Sequence, residues 1–141
     1  VTGSHNICVG MDAGIDDIDF DSFDILVCPG GMPGTKNLEA CETLTKHLRA
    51  FYEAGKLIGA ICAAPSIFGH MGILKGKKAC IYLGMEAELT GAQVVYDKVV
   101  KADNVITSRG MGTAIAFGLE IVKNLLDEEA AQKLGEGIVY L

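Results

Sequence analysis

The sequence places a cysteine where a buried strand must turn abruptly into a helix, in the stretch Gly59-Ala60-Ile61-Cys62-Ala63-Ala64-Pro65. In a nucleophile elbow the residues two before and two after the nucleophile are small, because the strained turn brings their backbones together; Ala60 and Ala64 meet that need. The side chain then stands exposed above the N-terminus of the next helix, which favours thiolate over thiol. Cys62 is the candidate reactive thiol, and the alternative is a small core residue between strand and helix.

A double glycine, Gly30-Gly31, follows Pro29 at the end of an earlier apolar strand. Open α/β sheets gather their ligands at the carboxyl ends of their strands. Glycines there let backbone N–H groups approach a ligand oxygen, and together with the Ala63 N–H they would form an oxyanion hole over Cys62. Alone, a double glycine indicates only a turn.

A third strand end carries Arg109, in the stretch Ile106-Thr107-Ser108-Arg109-Gly110-Met111-Gly112-Thr113. Arg109 is a candidate clamp for a carboxylate or carbonyl group of a substrate, and Thr113 a candidate cap of the following helix. The alternative is an arginine that ties loops together at the sheet edge. No histidine is placed near Cys62 by sequence spacing, so a Cys–His dyad is not indicated.

Net charge, cysteine spacing and hydropathy exclude several classes of function. The chain has 141 residues and a net charge of −6, which is unfavourable for binding nucleic acid or anionic lipid. Six aspartates precede the first basic residue, Lys36, and are expected to form a solvated edge. The five cysteines lack the spacing of a zinc site or a disulfide framework, and an unpaired set favours a reducing compartment, by default the cytoplasm. The uncharged run over 57–74 is interrupted by glycines and a proline, so a membrane span is rejected.

The periodicity predicts alternating strands and helices, which is typical of a mostly parallel sheet with helices on both faces. The predicted strands cover 24–28, 56–61 and 78–82, with an edge hairpin over 96–101 and 104–107. The predicted helices cover 38–51, ended by Gly55, then 63–70, 114–126 and 127–134, with Asp127 as an N-cap. With no repeat or linker visible, residues 1–141 are expected to form one domain.

These motifs together resemble the ThiJ/PfpI superfamily, in particular its parkinsonism-associated deglycase branch. The matching stretches are Val27-Cys28-Pro29-Gly30-Gly31, Ala60-Ile61-Cys62-Ala63-Ala64-Pro65, Gly72-Ile73-Leu74-Lys75-Gly76-Lys77 and Ile106-Thr107-Ser108-Arg109-Gly110-Met111-Gly112-Thr113. The resemblance implies a flavodoxin-like three-layer sandwich with a mostly parallel sheet, usually a homodimer. It also implies a cofactor-free activity on methylglyoxal or glycated groups, with Cys62 as the oxidation-sensitive cysteine and Gly31 and Ala63 as oxyanion contacts.

The chain departs from this pattern at several places. No residue matches the family's carboxylic acid, which lies in an N-terminal strand and helix that have no counterpart here, and the region 10–19 is shorter. Tyr82 stands where the deglycase has a histidine that faces the site. The tyrosine would either donate a hydrogen bond to a substrate carbonyl or fill space at the edge of the core. Met111 replaces a proline. Ala63 stands where the peptidase-like branch has histidine, which argues against a protease.

Two functions fit these features. The first is a thiol enzyme in which Cys62 adds to a small reactive carbonyl compound, without metal or cofactor. The second is a non-catalytic redox sensor or chaperone that works through oxidation of the same cysteine.

Overall fold

The computed structural model describes all residues, 1–141, as an α/β fold. The strands are β1 (Ile25–Cys28), β2 (Leu57–Ile61), β3 (Lys78–Ala79), β4 (Gln93–Val94), β5 (Val99–Ala102) and β6 (Val105–Ser108). The helices are α1 (Gly34–Ala40), α2 (Glu42–Glu53), α3 (Pro65–His70), α4 (Ala114–Leu125) and α5 (Glu128–Gly137). Single 3₁₀ turns cover Ile15–Asp17, Phe20–Ser22, Glu86–Glu88 and Met111–Thr113.

The central sheet has the order β1-β2-β6-β5. β1, β2 and β6 run parallel, and β5 pairs antiparallel with β6 as an edge hairpin, which confirms the predicted mostly parallel sheet. The hairpin turns at Asp103, whose φ is +53°, and Asn104. β3 and β4 form a separate parallel pair. The other edge of the central sheet is β1, where the Val27 side chain is 44% exposed.

Helices cover both faces of the sheet. Alternate residues of a strand point to opposite faces, so neighbouring residues of β2 contact different helices. Ile58 and Ala60 of β2 belong to the buried cluster that also contains Leu48 of α2. Gly59, between them, faces the ring of Phe117 in α4. None of the five helices combines the length and the hydrophobicity that a bilayer-spanning segment requires.

The prediction of a single helix over 38–51 is wrong, because Cys41 separates α1 from α2. Cys41 has extended backbone angles, φ −79° and ψ 99°. Its N–H donates to the Leu38 carbonyl and so ends α1, while its own carbonyl accepts from the Thr45 N–H and hydroxyl and so begins α2. The prediction that Gly55 follows the last turn is confirmed, and its φ is +75°.

The strand predicted over 78–82 is shorter than expected, because only Lys78–Ala79 pair with β4. The Cys80 N–H donates to the Thr107 hydroxyl and the Tyr82 N–H to the Cys62 carbonyl. These bonds lead the chain away from β4 and along the carboxyl end of the central sheet.

At the ends of α4 and α5 one capping prediction is confirmed and one is wrong. The Asp127 carboxylate accepts from the Ala130 N–H and caps α5. Thr113 makes no side-chain cap for α4; its hydroxyl bonds instead to the Gly110 backbone and the Ser108 hydroxyl. The six aspartates before Lys36 are exposed, as predicted.

Candidate active site around Cys62

Cys62 lies directly after β2, on the turn that leads into α3. Its φ is +66°, a conformation that non-glycine residues rarely adopt outside tight turns and functional sites. Two backbone hydrogen bonds hold it there, because the Cys62 N–H donates to the Ser108 carbonyl at 3.0 Å and the Tyr82 N–H donates to the Cys62 carbonyl at 2.9 Å. The thiol is partly exposed, whereas Ala60 and Ala64 on either side are fully buried. The turn therefore has the form of a nucleophile elbow.

The glycine turn after β1 packs directly against the Cys62 turn. A Cβ at Gly30 would lie 2.5 Å from the Cys62 Cβ, 2.6 Å from the Ile61 carbonyl oxygen and 2.9 Å from the Ala63 nitrogen. No side chain fits at this position. Gly30 is a predicted ligand-binding residue, and the structure gives it a second role, because its lack of a side chain lets the two turns meet.

Thr35 holds the glycine turn from the other side, a role that the sequence did not indicate. Its side chain is buried, and its N–H and hydroxyl both donate to the Gly31 carbonyl, at 2.8 and 2.9 Å. Gly31 has a φ of +91°, which favours glycine. The Gly31 and Ala63 N–H groups donate to no acceptor within the chain. Their role as oxyanion contacts stays a prediction.

Tyr82 is joined to Cys62 by its backbone N–H, and its ring packs against Gly110. The Tyr82 ring lies within van der Waals distance of a Cβ built at Gly110, at 3.5 Å, and is 52% exposed. It lines a cleft of about 300 Å³ together with Leu83 and residues 109–113. A second cleft, of about 420 Å³, is lined by residues 1–4 and by the glycine turn and the start of α1. Cys62 is bonded or packed to a residue of each cleft, Tyr82 and Gly30.

The Arg109 side chain packs against Tyr96. Its guanidinium lies 5.4 Å from the centre of the Tyr96 ring, and Nη1 donates to the Tyr96 carbonyl at 3.4 Å. Its Nε is buried without a hydrogen-bond partner. This arrangement matches the alternative in which Arg109 ties loops together at the sheet edge, and its part in substrate binding stays a prediction.

The three histidines all have other contacts. The His70 ring bonds to two glutamates, the His47 ring stacks on Phe20 at 3.7 Å, and His5 contacts Ser4. The contacts of each histidine are thus with residues other than Cys62.

The other four cysteines differ from Cys62 and from one another. Cys28 and Cys80 are buried; burial raises the pKa of the Cys28 thiol to about 12 and also raises the pKa of the Cys80 thiol. Such thiols stay protonated and unreactive at neutral pH. Cys41 is partly exposed. Cys8 is exposed, because residues 1–9 form a short surface hairpin bridged at Thr2 and Cys8.

The fold and this site define an α/β domain with a cysteine at a nucleophile elbow. The model of the DJ-1/PfpI family matches residues 1–124, and the chain belongs to that family.

Individual relatives agree with this assignment. Over 137 residues the chain is 39% identical to Protein DJ-1 homolog A of Arabidopsis thaliana, covering 96% of this chain but 35% of that protein. It is 37% identical to the glutathione-independent glyoxalase DJR-1.2 of Caenorhabditis elegans, over 87% of this chain and 66% of that protein. It is 34% identical to the deglycase PfpI of Pyrococcus furiosus, over 89% of this chain and 76% of that protein. The chain thus spans about a third of the plant relative and larger shares of the other two.

Solved structures share the fold. The crystal structure of Drosophila melanogaster DJ-1beta superimposes with a TM-score of 0.91 at 35% identity, covering 98% of this chain and 75% of that one. Toxoplasma gondii DJ-1 in an oxidised form gives a TM-score of 0.91 at 31% identity, covering 97% and 75%. These likenesses confirm the predicted fold class.

Proposed function

We propose that the chain is a cofactor-independent, cysteine-dependent enzyme of the glyoxalase or deglycase type, acting on methylglyoxal or related reactive carbonyl compounds. The observation that carries the proposal is the Cys62 turn, with its partly exposed thiol beside two unbonded N–H groups. The names of the nematode glyoxalase and the archaeal deglycase support the same substrate class.

In the proposed reaction the Cys62 sulfur attacks the aldehyde carbon of methylglyoxal. A C–S bond forms, and the carbonyl π electrons move to the oxygen, giving a hemithioacetal oxyanion. The Gly31 and Ala63 N–H groups would stabilise this oxyanion as the charge develops. Tyr82 is proposed to donate a hydrogen bond to the second carbonyl of the substrate.

The hemithioacetal then rearranges by moving a proton from the former aldehyde carbon to its neighbour, which gives a thioester of lactate. Water hydrolyses the thioester and restores the thiol. Methylglyoxal and one water thus become lactate, with no external oxidant or reductant. The proton transfers need a general acid–base group, which the resemblance assigns to a carboxylic acid with no counterpart among residues 1–141.

The experiment that tests this function measures methylglyoxal loss and lactate formation by the purified chain in buffer containing a metal chelator. The proposal predicts one lactate formed for each methylglyoxal consumed, at a rate that the chelator does not change. Heat-denatured protein controls for nonspecific reaction of methylglyoxal with thiols and amines. Consumption without lactate, or activity abolished by the chelator, would contradict the proposal.

The second candidate function is a redox sensor or chaperone that uses oxidation of Cys62. The difference in exposure between Cys62 and the buried Cys28 and Cys80 favours it, as does the oxidised form of the Toxoplasma relative. Both functions use the same thiol, so they are compatible.

Graded peroxide treatment is expected to add two oxygens at Cys62 while Cys28 and Cys80 stay unmodified, because their raised pKa values keep them as thiols. Peptide mass spectrometry measures each site separately. Exposed Cys8 is the internal control for simple accessibility. Oxidation of Cys8 ahead of Cys62, or equal oxidation of all five cysteines, would count against the sensor.

We further propose that the chain works as a single-domain homodimer in the cytoplasm. The free state of all five cysteines fits a reducing compartment. The exposed apolar side chains of α4 and of the residue that follows it, Ile115, Leu125 and Leu126, support an apolar contact surface for a second copy.

A further inference from the structure

The last residue of α3, His70, lies between two carboxylates from other parts of the chain. Its Nδ1 is 2.6 Å from Glu39 Oε1, and its Nε2 is 2.8 Å from Glu88 Oε2. Ionised carboxylates only accept hydrogen bonds, so both ring nitrogens must donate. An imidazole donates from both nitrogens only when it is protonated. The geometry therefore describes a positively charged His70.

The three residues connect three segments that each follow a part of the candidate active site. Glu39 belongs to α1, after the glycine turn; His70 belongs to α3, after the Cys62 turn; Glu88 ends the 3₁₀ turn that follows Tyr82. The contact between α3 and the Glu86–Glu88 turn is close, because a Cβ at Gly69 would overlap the Glu88 carbonyl oxygen. The cluster therefore links the three segments that follow the glycine turn, the Cys62 turn and Tyr82.

We propose that His70 is a pH-sensitive clasp that holds α1, α3 and the Glu86–Glu88 turn together while its ring is protonated, and releases one carboxylate when the ring loses a proton. The clasp concerns the conformation of the chain and not the chemistry of Cys62. The proposal therefore does not depend on the chain being a glyoxalase.

The surrounding charges set the direction of the pH dependence. The hydrogen bond to Glu39 and then that to Glu88 raise the pKa of His70 above its ordinary 6.5. These carboxylates are the charged groups bonded to the ring, and from α2 the Arg49 guanidinium approaches the same end of α3, donating to the Met71 carbonyl at 2.7 Å.

A histidine whose pKa is raised on folding stabilises the fold fully below its unfolded pKa, and that contribution is lost as the pH rises through the folded pKa. The clasp is therefore closed at mildly acidic pH and opens on the alkaline side of the His70 titration. The His70 side chain is 39% exposed, so solvent and salt moderate the effect.

Two measurements on the whole chain test the clasp, and neither uses catalytic turnover. The first is an NMR titration of the His70 ring in the wild type and in the Glu39→Gln/Glu88→Gln double variant. The wild-type midpoint is expected above 6.5, and the variant midpoint lower. Glu42→Gln is the matched control, because Glu42 is an exposed carboxylate at the start of α2. This variant should keep the His70 midpoint of the wild type.

The second measurement is amide hydrogen exchange of α3 and residues 86–90 at several pH values, corrected for the intrinsic pH dependence of exchange. Protection is expected to fall in the wild type as the pH passes through the His70 midpoint, and to show no such step in the double variant or in His70→Gln. A wild-type midpoint at or below 6.5, or protection with no step at the midpoint, would overturn the proposal.

Discussion

The Cys62→Ser variant is expected to lose methylglyoxal turnover by roughly 10³-fold or more, as removal of a nucleophile does in other covalent enzymes. A serine hydroxyl is a weak nucleophile without an adjacent base, and no histidine is bonded near this position. Serine is close to cysteine in size and can keep the backbone hydrogen bonds to Ser108 and Tyr82. The loss should therefore come with an unchanged fold, measured by circular dichroism and thermal unfolding.

Cys41→Ser is the matched control, since Cys41 is also partly exposed but lies at the break between α1 and α2. It should keep wild-type turnover. Turnover retained by a folded Cys62→Ser protein would remove the thiol from the mechanism.

The Gly30→Ala variant is expected to lower kcat/KM by about 10²-fold, because displacing a reacting group by about 1 Å has effects of that size. The added methyl group would meet the Cys62 Cβ, the Ile61 carbonyl and the Ala63 nitrogen, all closer than 3.0 Å. Two of these are backbone atoms that cannot rotate away, so the turns must separate. Overpacking of this kind also lowers the free energy of unfolding by about 1–3 kcal/mol.

Gly34→Ala gives the control for this prediction, because Gly34 lies four residues on, at the start of α1, and a Cβ there meets nothing within 4 Å. Steady-state kinetics and denaturant unfolding of the two variants should separate clearly. If Gly30→Ala matched Gly34→Ala in both measurements, close packing of the glycine turn on Cys62 would be wrong.

The elements whose signals are local can be predicted from the sequence. The elbow was predicted from small residues around Cys62, and the structure agrees, with a positive φ at Cys62. The edge hairpin and the Asp127 cap likewise depend on residues close together in the chain.

The packing of Gly30 on Cys62 and the orientation of Arg109 depend on contacts between residues far apart in the chain, which local sequence patterns do not show. The close approach of Gly30 to Cys62 arises because β1 and β2 are parallel neighbours, with Cys28 opposite Ala60. The break at Cys41 has no proline or glycine to signal it and depends on hydrogen bonds to Leu38 and Thr45. The orientation of Arg109 is set by Tyr96, thirteen residues earlier.

A catalytic role for Cys62 is measured by titrating the wild-type chain with iodoacetamide and following turnover and peptide-resolved labelling in the same samples. Turnover is expected to fall in proportion to the label on Cys62, whatever the labelling of exposed Cys8. Turnover that persists after Cys62 is fully labelled, or that follows the labelling of Cys8 instead, would contradict it.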